Sequence, residues 1–205
     1  MNEVVPFVQC NKTAHCDICP IAKQKRLPFT SSNHVSKFPF DLVHCDLWGP
    51  FSIPIVHGYR YFLTIVDGFS RCTWGYLLKA KSETKFLISQ FYTLIETQYN
   101  KKIKCIGTNN GTEFLMKDFF KSKGIIHHLS CVETPQQNSI VEREHQHNLN
   151  VARSLKFQSS IPLEYWGDCV LTVVYLINRT PSFVLTNKTP SEVLIGQLPS
   201  FSHLR

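Results

Sequence analysis

The sequence has no apolar run approaching the roughly 18 residues that a bilayer span requires, which excludes a membrane-crossing helix. It has no internal repeat and no low-complexity segment, which argues against a solenoid or a disordered linker. Its first residues, Met1-Asn2-Glu3-Val4-Val5-Pro6-Phe7, lack a basic start and a sustained apolar stretch. No secretory leader is expected, and the protein is placed in the nucleus or cytoplasm. Acidic residues are the scarce charge: 15 stand against 22 Lys and Arg, for a net charge of +7. That balance favours an anionic partner such as nucleic acid, although charge alone is a weak signal. The 8 cysteines form no regular framework. Cys45, Cys72, Cys105, Cys131 and Cys169 sit inside apolar segments and read as small buried hydrophobes in a reducing compartment.

What is present is enough for one packed domain: 205 residues, 43% hydrophobic, with 15 Phe. Residues 1–35 stand apart, with Cys10, Cys16 and Cys19, the basic run Lys23-Gln24-Lys25-Arg26 and the turn-rich Thr30-Ser31-Ser32-Asn33. They read as an irregular module plus linker. Residues 36–202 carry a mixed α/β pattern. Strands are predicted near Leu42–Leu47, Tyr61–Val66, Cys72–Leu78, Ile103–Ile106 and Ile125–Leu129, with a turn at Asp67-Gly68. Apolar residues at Leu87, Phe91, Leu94 and Ile95 predict a helix over Ser82–Gln98. A short helix is expected over Glu113–Lys123, closed by Gly124. A long one begins at Thr134 or Ser139, each of which opens a capping box, and ends near Leu155. Another starts near Pro162, buries Trp166, Val170, Val173 and Ile177 and stops before Pro181; a last one starts at Thr189-Pro190-Ser191-Glu192. This order is an α/β fold with a mixed sheet.

Three polar positions carry the chemistry. Asp46 lies late in the first predicted strand, Asn109 follows the fourth, and Glu142 opens the long helix. Each has an ordinary structural reading: Asp46 capping the turn at Gly49-Pro50, Asn109 in a turn with Asn110-Gly111, Glu142 closing the capping box of Ser139. Together they suit a fold that gathers two strand ends and a helix start. Carboxylates gathered this way can hold two Mg²⁺ roughly 4 Å apart and activate a phosphodiester for attack.

At this point a resemblance enters. His44-Cys45-Asp46-Leu47-Trp48-Gly49-Pro50, Gly58-Tyr59-Arg60-Tyr61-Phe62-Leu63-Thr64-Ile65-Val66-Asp67, Asn110-Gly111-Thr112-Glu113-Phe114, Thr134-Pro135-Gln136-Gln137-Asn138, Val141-Glu142-Arg143 and Tyr175-Leu176-Ile177-Asn178-Arg179-Thr180-Pro181 resemble the integrase segment of Copia-type retrotransposon Pol polyproteins of plants. The resemblance implies an RNase H-like core, a five-stranded mixed sheet flanked by helices. It implies Mg²⁺- or Mn²⁺-dependent 3′-end processing and strand transfer, with Asp46, Asn109 and Glu142 as catalytic residues and ligands of two ions. DNA of the element ends and of the host is the implied partner, and a homo-oligomer the implied assembly. The family pattern has Arg where this chain has Gly107, Asp where it has Asn109, Asp where it has Gly68 and Gly where it has Ser139. The change at Asn109 removes a charge from the metal centre and implies weak or absent catalysis. The alternative readings are a catalytically dead nucleic-acid-binding or assembly module and a degenerate element fragment.

Cys16-x-x-Cys19 has the spacing of half a Zn²⁺ site. The resemblance implies that residues 1–35 are a remnant of the zinc-binding pre-integrase module, whose two His would lie upstream of this chain. An orphaned half-site, a weak site using Cys10 or His15, and ordinary thiols remain open. For DNA, the candidates are Lys25, Arg26, Gln136, Gln137, Asn138, Arg143 and His145. The spacing of three and four places Glu142, His145 and Gln146 on one helical face.

Overall fold

The computed structural model describes residues 36–55, 57–130 and 138–201. The chain divides into two units, Met1–His34 and Val35–Arg205, and the described residues belong to the second. Cys16, Cys19, Lys25, Arg26, Thr134, Gln136 and Gln137 lie outside the described residues.

Five strands form one sheet: β1 (Val43–Trp48), β2 (Tyr61–Asp67), β3 (Thr73–Leu78), β4 (Cys105–Thr108) and β5 (Ile126–Leu129), in the order β3-β2-β1-β4-β5. The first three pair antiparallel; β4 runs parallel to β1, and β5 parallel to β4. The sheet is mixed, as the element order predicts.

Alternation along the strands builds two cores. Val43 and Cys45 of β1 and Leu63 and Ile65 of β2 point to one face. There α1 (Thr84–Tyr99) brings Ile88, Phe91, Tyr92 and Ile95 at helical spacing, and α2 (Lys117–Lys123) brings Phe120. Phe62 points to the opposite face, against α3 (Ser139–Ser159) and α4 (Trp166–Ile177), which supply Leu149, Ala152, Trp166, Val170 and Val173. Gly124 ends α2 in the left-handed region at φ 67, as expected for its type. The final helix, α5 (Pro190–Ile195), begins as its sequence predicts: Pro190 opens it, and Glu192 N donates to Thr189 Oγ1 at 3.1 Å.

Three boundaries differ from expectation. The helix predicted from Glu113 is broken. A 3₁₀ turn covers Thr112–Phe114, Leu115 is extended at φ −76, ψ 93, and α2 starts only at Lys117. Phe114 and Met116 are both buried while Leu115 between them is exposed, and that alternation requires extended backbone. In α3, Ser139 is already helical, so the N-cap falls on Asn138, which makes no side-chain cap bond. The box expected between Ser139 and Glu142 is therefore one residue out of register. After Pro162, a 3₁₀ turn over Leu163–Tyr165 delays α4 to Trp166, and Ile177 at its end is only half-buried.

Two polar clamps fix the frame. Asp67 is fully buried; Oδ1 accepts from Phe40 N at 2.8 Å, and Oδ2 accepts from Ser70 N at 2.8 Å and Ser70 Oγ at 2.7 Å. Three donors offset the desolvation of that carboxylate. Asn178, just past α4, donates through Nδ2 to Thr73 O at 2.7 Å and accepts at Oδ1 from Thr73 N at 2.8 Å. Its amide binds the edge strand as a neighbouring strand would. Among the described residues, no helix is long and apolar enough to cross a membrane.

Candidate active site

Parallel pairing of β1 and β4 carries the residue after β4 to the side of Asp46. Asn109 Nδ2 donates to Asp46 Oδ1 at 3.1 Å, and Gly111 N donates to Asn109 Oδ1 at 2.9 Å. A backbone N–H can only donate, so it identifies the amide oxygen and leaves the NH₂ end for the acid. Asn109 thus meets Asp46 as a hydrogen-bond donor. The structural alternative for Asp46, capping the Gly49-Pro50 turn, is not what its side chain does.

The acid is under electrostatic pressure. Burial is the main cause that raises the Asp46 carboxyl to about 6; a backbone bond at Leu47 opposes it, and the charges of Glu142 and Glu113 raise it further. Glu142 is exposed in the first turn of α3. Glu113, expected at the start of a short helix, lies in the 3₁₀ turn instead. Its side chain is 10% exposed, and Oε1 lies 3.6 Å from Lys81 Nζ. A Cβ on Gly111 would lie 2.8 Å from Glu113 Oε2 and 2.9 Å from Asn109 Oδ1, so only glycine lets the two side chains flank that gap. The structure therefore brings Asp46, Asn109 and Glu142 to one end of the sheet, with Glu113 paired to Lys81 beside Gly111.

Beneath Asp46 the packing is polar but closed. His145 is 2% exposed; its Nδ1 lies 3.1 Å from Thr64 Oγ1 and 3.7 Å from Asp46 Oδ2. Burial pushes the imidazole down to about 4. It is neutral at pH 7, and 3.7 Å is too long for a hydrogen bond, so the contact with Asp46 is not an ion pair. Asn138 is also 2% exposed, with Oδ1 3.0 Å from His44 Nδ1 and Nδ2 donating to Cys45 O at 3.2 Å. It pins the start of α3 to β1. These contacts correct the expectation that Asn138 and His145 face DNA: both are buried and occupied within the fold. The face expected to join Glu142, His145 and Gln146 is likewise split, since Glu142, Arg143 and Gln146 are exposed while His145 points inward. Cys45, Cys72, Cys105 and Cys169 are free and buried, and burial raises the Cys72 thiol to about 12.

As a metal centre the constellation is loose. Among the described residues, no three His, Cys, Asp or Glu side chains stand close enough together to hold an ion as they are. Magnesium keeps several waters and needs only one or two carboxylates, and Asp46 and Glu142 suit that role. Asn109 does not suit it in this geometry: the end turned toward Asp46 is N–H, which cannot ligate.

The sheet order and the helices on both faces define an RNase H-like fold of the kind seen in integrase cores. Residues 37–135 match the family model for the integrase core domain. The chain is 35% identical over 98% of its length to the retrovirus-related Pol polyprotein from transposon TNT 1-94 of Nicotiana tabacum. It is 35% identical over 95% of its length to that from transposon RE2 of Arabidopsis thaliana. It spans only 15% and 13% of those two proteins. In fold it is similar to a chain of the simian T-cell lymphotropic virus intasome in complex with PP2A regulatory subunit B56 gamma (TM-score 0.65, 15% identity, covering 89% of this chain and 65% of that one). It is also similar to the HTLV-2 integrase catalytic core domain in complex with magnesium (TM-score 0.56, 19% identity, covering 77% of this chain and 98% of that one). Residues 37–135 thus carry an integrase core domain, and over nearly its whole length the chain is similar to the Copia-type Pol polyproteins of plant retrotransposons.

Proposed function

We propose that this domain serves DNA integration as a core that holds element and host DNA, with its own metal-dependent 3′-end processing and strand transfer impaired. The observation that carries this reading is the Asn109–Asp46 hydrogen bond. Asp46 here accepts from an amide N–H at the position where the family pattern has a second carboxylate, so one charge of the acidic pair is missing. Asp46 and Glu142 would hold the ion that remains possible. When bound, magnesium or manganese supplies the charge that activates the attacking oxygen and steadies the leaving oxygen. The protein's own contribution is positioning. Thr64 and His145 support Asp46 from below, and Asn138 ties the α3 start, and with it Glu142, to β1. Exposed Arg143, together with Lys25, Arg26, Gln136 and Gln137, would meet phosphates and DNA ends. The HTLV-2 core of the same fold was solved with magnesium and in dimeric and trimeric forms, which supports divalent metal and homo-oligomerisation for this chain. A nuclear or cytoplasmic setting follows from such a partner.

If the missing charge weakens transition-state stabilisation by about 3–5 kcal/mol, turnover falls by roughly 10²–10⁴. Strand transfer with Mg²⁺ or Mn²⁺ tests this: Asn109→Asp should gain about that factor while duplex affinity stays constant. A natural chain already as fast as Asn109→Asp would end the reading. The same hydrogen bond favours a second reading, a purely non-catalytic DNA-binding or assembly module, in which Asn109→Asp restores no turnover.

A further inference from the structure

At the end of the sheet where Asp46 lies, two fixed cations stand without a counter-charge. β2 pairs with β1 through Asp46↔Thr64 and Trp48↔Phe62, and with β3 through Tyr61↔Leu78. Arg60 and Lys79 leave the sheet side by side just beyond that last rung, and both are exposed. Arg60 is four residues from Thr64 along one strand line, which puts it about 13 Å from the level of Asp46.

An ordinary surface cation is a mobile, solvated group that contributes little. These two are held. Arg60 N donates to Leu78 O at 2.9 Å, and Arg60 O accepts from Phe51 N at 2.7 Å. The guanidinium donates through Nε to Phe51 O at 3.3 Å and through Nη2 to Ser52 O at 3.5 Å. Among the described residues, Nη1 has no partner. Lys79 Nζ lies 5.6 Å from the centre of the Tyr59 ring, a cation resting on an aromatic face. The neighbouring acids are engaged elsewhere: Glu83 Oε1 accepts from Ala80 N at 3.2 Å, and Glu113 pairs with Lys81. Among the described residues, neither Arg60 nor Lys79 meets an acidic side chain. Pre-positioned cations of one sign at the end of a cleft attract a polyanion.

We propose that Arg60 and Lys79 form a shelf for the phosphate backbone of a DNA duplex that passes Asp46. The proposal rests on the reading of this domain as a holder of DNA, and it adds the direction in which the duplex runs: outward over the β2–β3 end. One strand of duplex advances roughly 3.4 Å per phosphate, so the shelf meets the backbone about four phosphates from the one at Asp46. The free edge of the guanidinium and the ammonium each take phosphate oxygens. Such contacts position the duplex and read no sequence.

The test is the salt dependence of duplex DNA binding by the full 205-residue chain, read by fluorescence anisotropy, with folding checked by circular dichroism. Arg60→Gln combined with Lys79→Gln should make the slope of log affinity against log salt shallower by about 2. Lys101→Gln combined with Lys102→Gln removes the same charge from two exposed side chains ahead of β4, at the opposite end of the sheet, and should leave the slope unchanged. Lys79→Arg should keep the natural slope. If the shelf pair does not fold, Lys79→Gln alone, at an exposed position, should make the slope shallower by about 1. A folded shelf variant with the natural slope overturns the proposal and leaves the DNA-holding function intact. So does an equal loss from the Lys101 and Lys102 pair, which would make net charge the whole cause. A natural chain with a slope near zero removes DNA as the partner first and takes this proposal with it.

Discussion

Removing the Asp46 charge should stabilise the domain, and only above a definite pH. The carboxyl titrates near 3.8 in an unstructured chain and is raised to about 6 in the fold. A raised carboxyl binds its proton more tightly in the native state. Its stabilising contribution is complete below 3.8 and is lost as pH climbs through 6. The difference corresponds to about 3 kcal/mol at neutral pH, and the side chain is 21% exposed, so solvent screens only part of it. Asp46→Asn keeps an oxygen to accept from Asn109 Nδ2 but never ionises. For a domain of this size, about 3 kcal/mol moves Tm by roughly 6–10 °C. Differential scanning calorimetry at pH 8 should therefore find Asp46→Asn melting higher by about that amount, and at pH 4 within about 2 °C of the natural protein. Magnesium should raise the Tm of the natural protein at pH 8 and leave Asp46→Asn unmoved. An equal difference at both pH values, or a lower Tm at pH 8, would refute the claim that Asp46 is held in the fold against its own charge.

Other outcomes follow from the clamps and the surface. Asp67→Ala strands the donors of Phe40 and Ser70 in the core and should cost about 3–5 kcal/mol in urea denaturation. Asn178→Ala leaves both polar groups of Thr73 without their partner and should cost about 1–3 kcal/mol, with the loss concentrated in hydrogen-exchange protection of β3 and the end of α4. Duplex DNA affinity, measured by fluorescence anisotropy, should fall linearly on a log–log plot against salt, and Arg143→Ala should make that slope shallower by about 1. A slope near zero for the natural chain would speak against DNA as the partner.

Strands and long helices were readable because their apolar content is strong: Tyr61–Val66 is rich in aromatic and branched residues, and Leu87, Phe91, Leu94 and Ile95 recur at helical spacing, although the deepest face of that helix carries Ile88 and Tyr92 where Leu87 and Leu94 were expected. The convergence of Asp46 and position 109 was readable too, since a parallel β1–β4 pair forces it. Hidden in the sequence was the break before α2. Glu113–Lys123 reads as one helix until the alternating burial of Phe114 and Met116 is known. The inward faces of Asn138 and His145 were equally hidden, because a polar residue in a helix carries no local mark of a polar partner waiting on the sheet. Asp67-Gly68 was correctly seen as a turn, but the left-handed residue there is Arg71, at φ 62. Gly68 is needed for closeness, since a Cβ would lie 2.9 Å from Leu42 O.

The amide of Asn178 has one more effect. By taking both outward polar groups of Thr73, it seals that end of the outermost strand against zipping with a strand from another molecule. A sheet running continuously from one copy of this domain into another therefore cannot start at that corner.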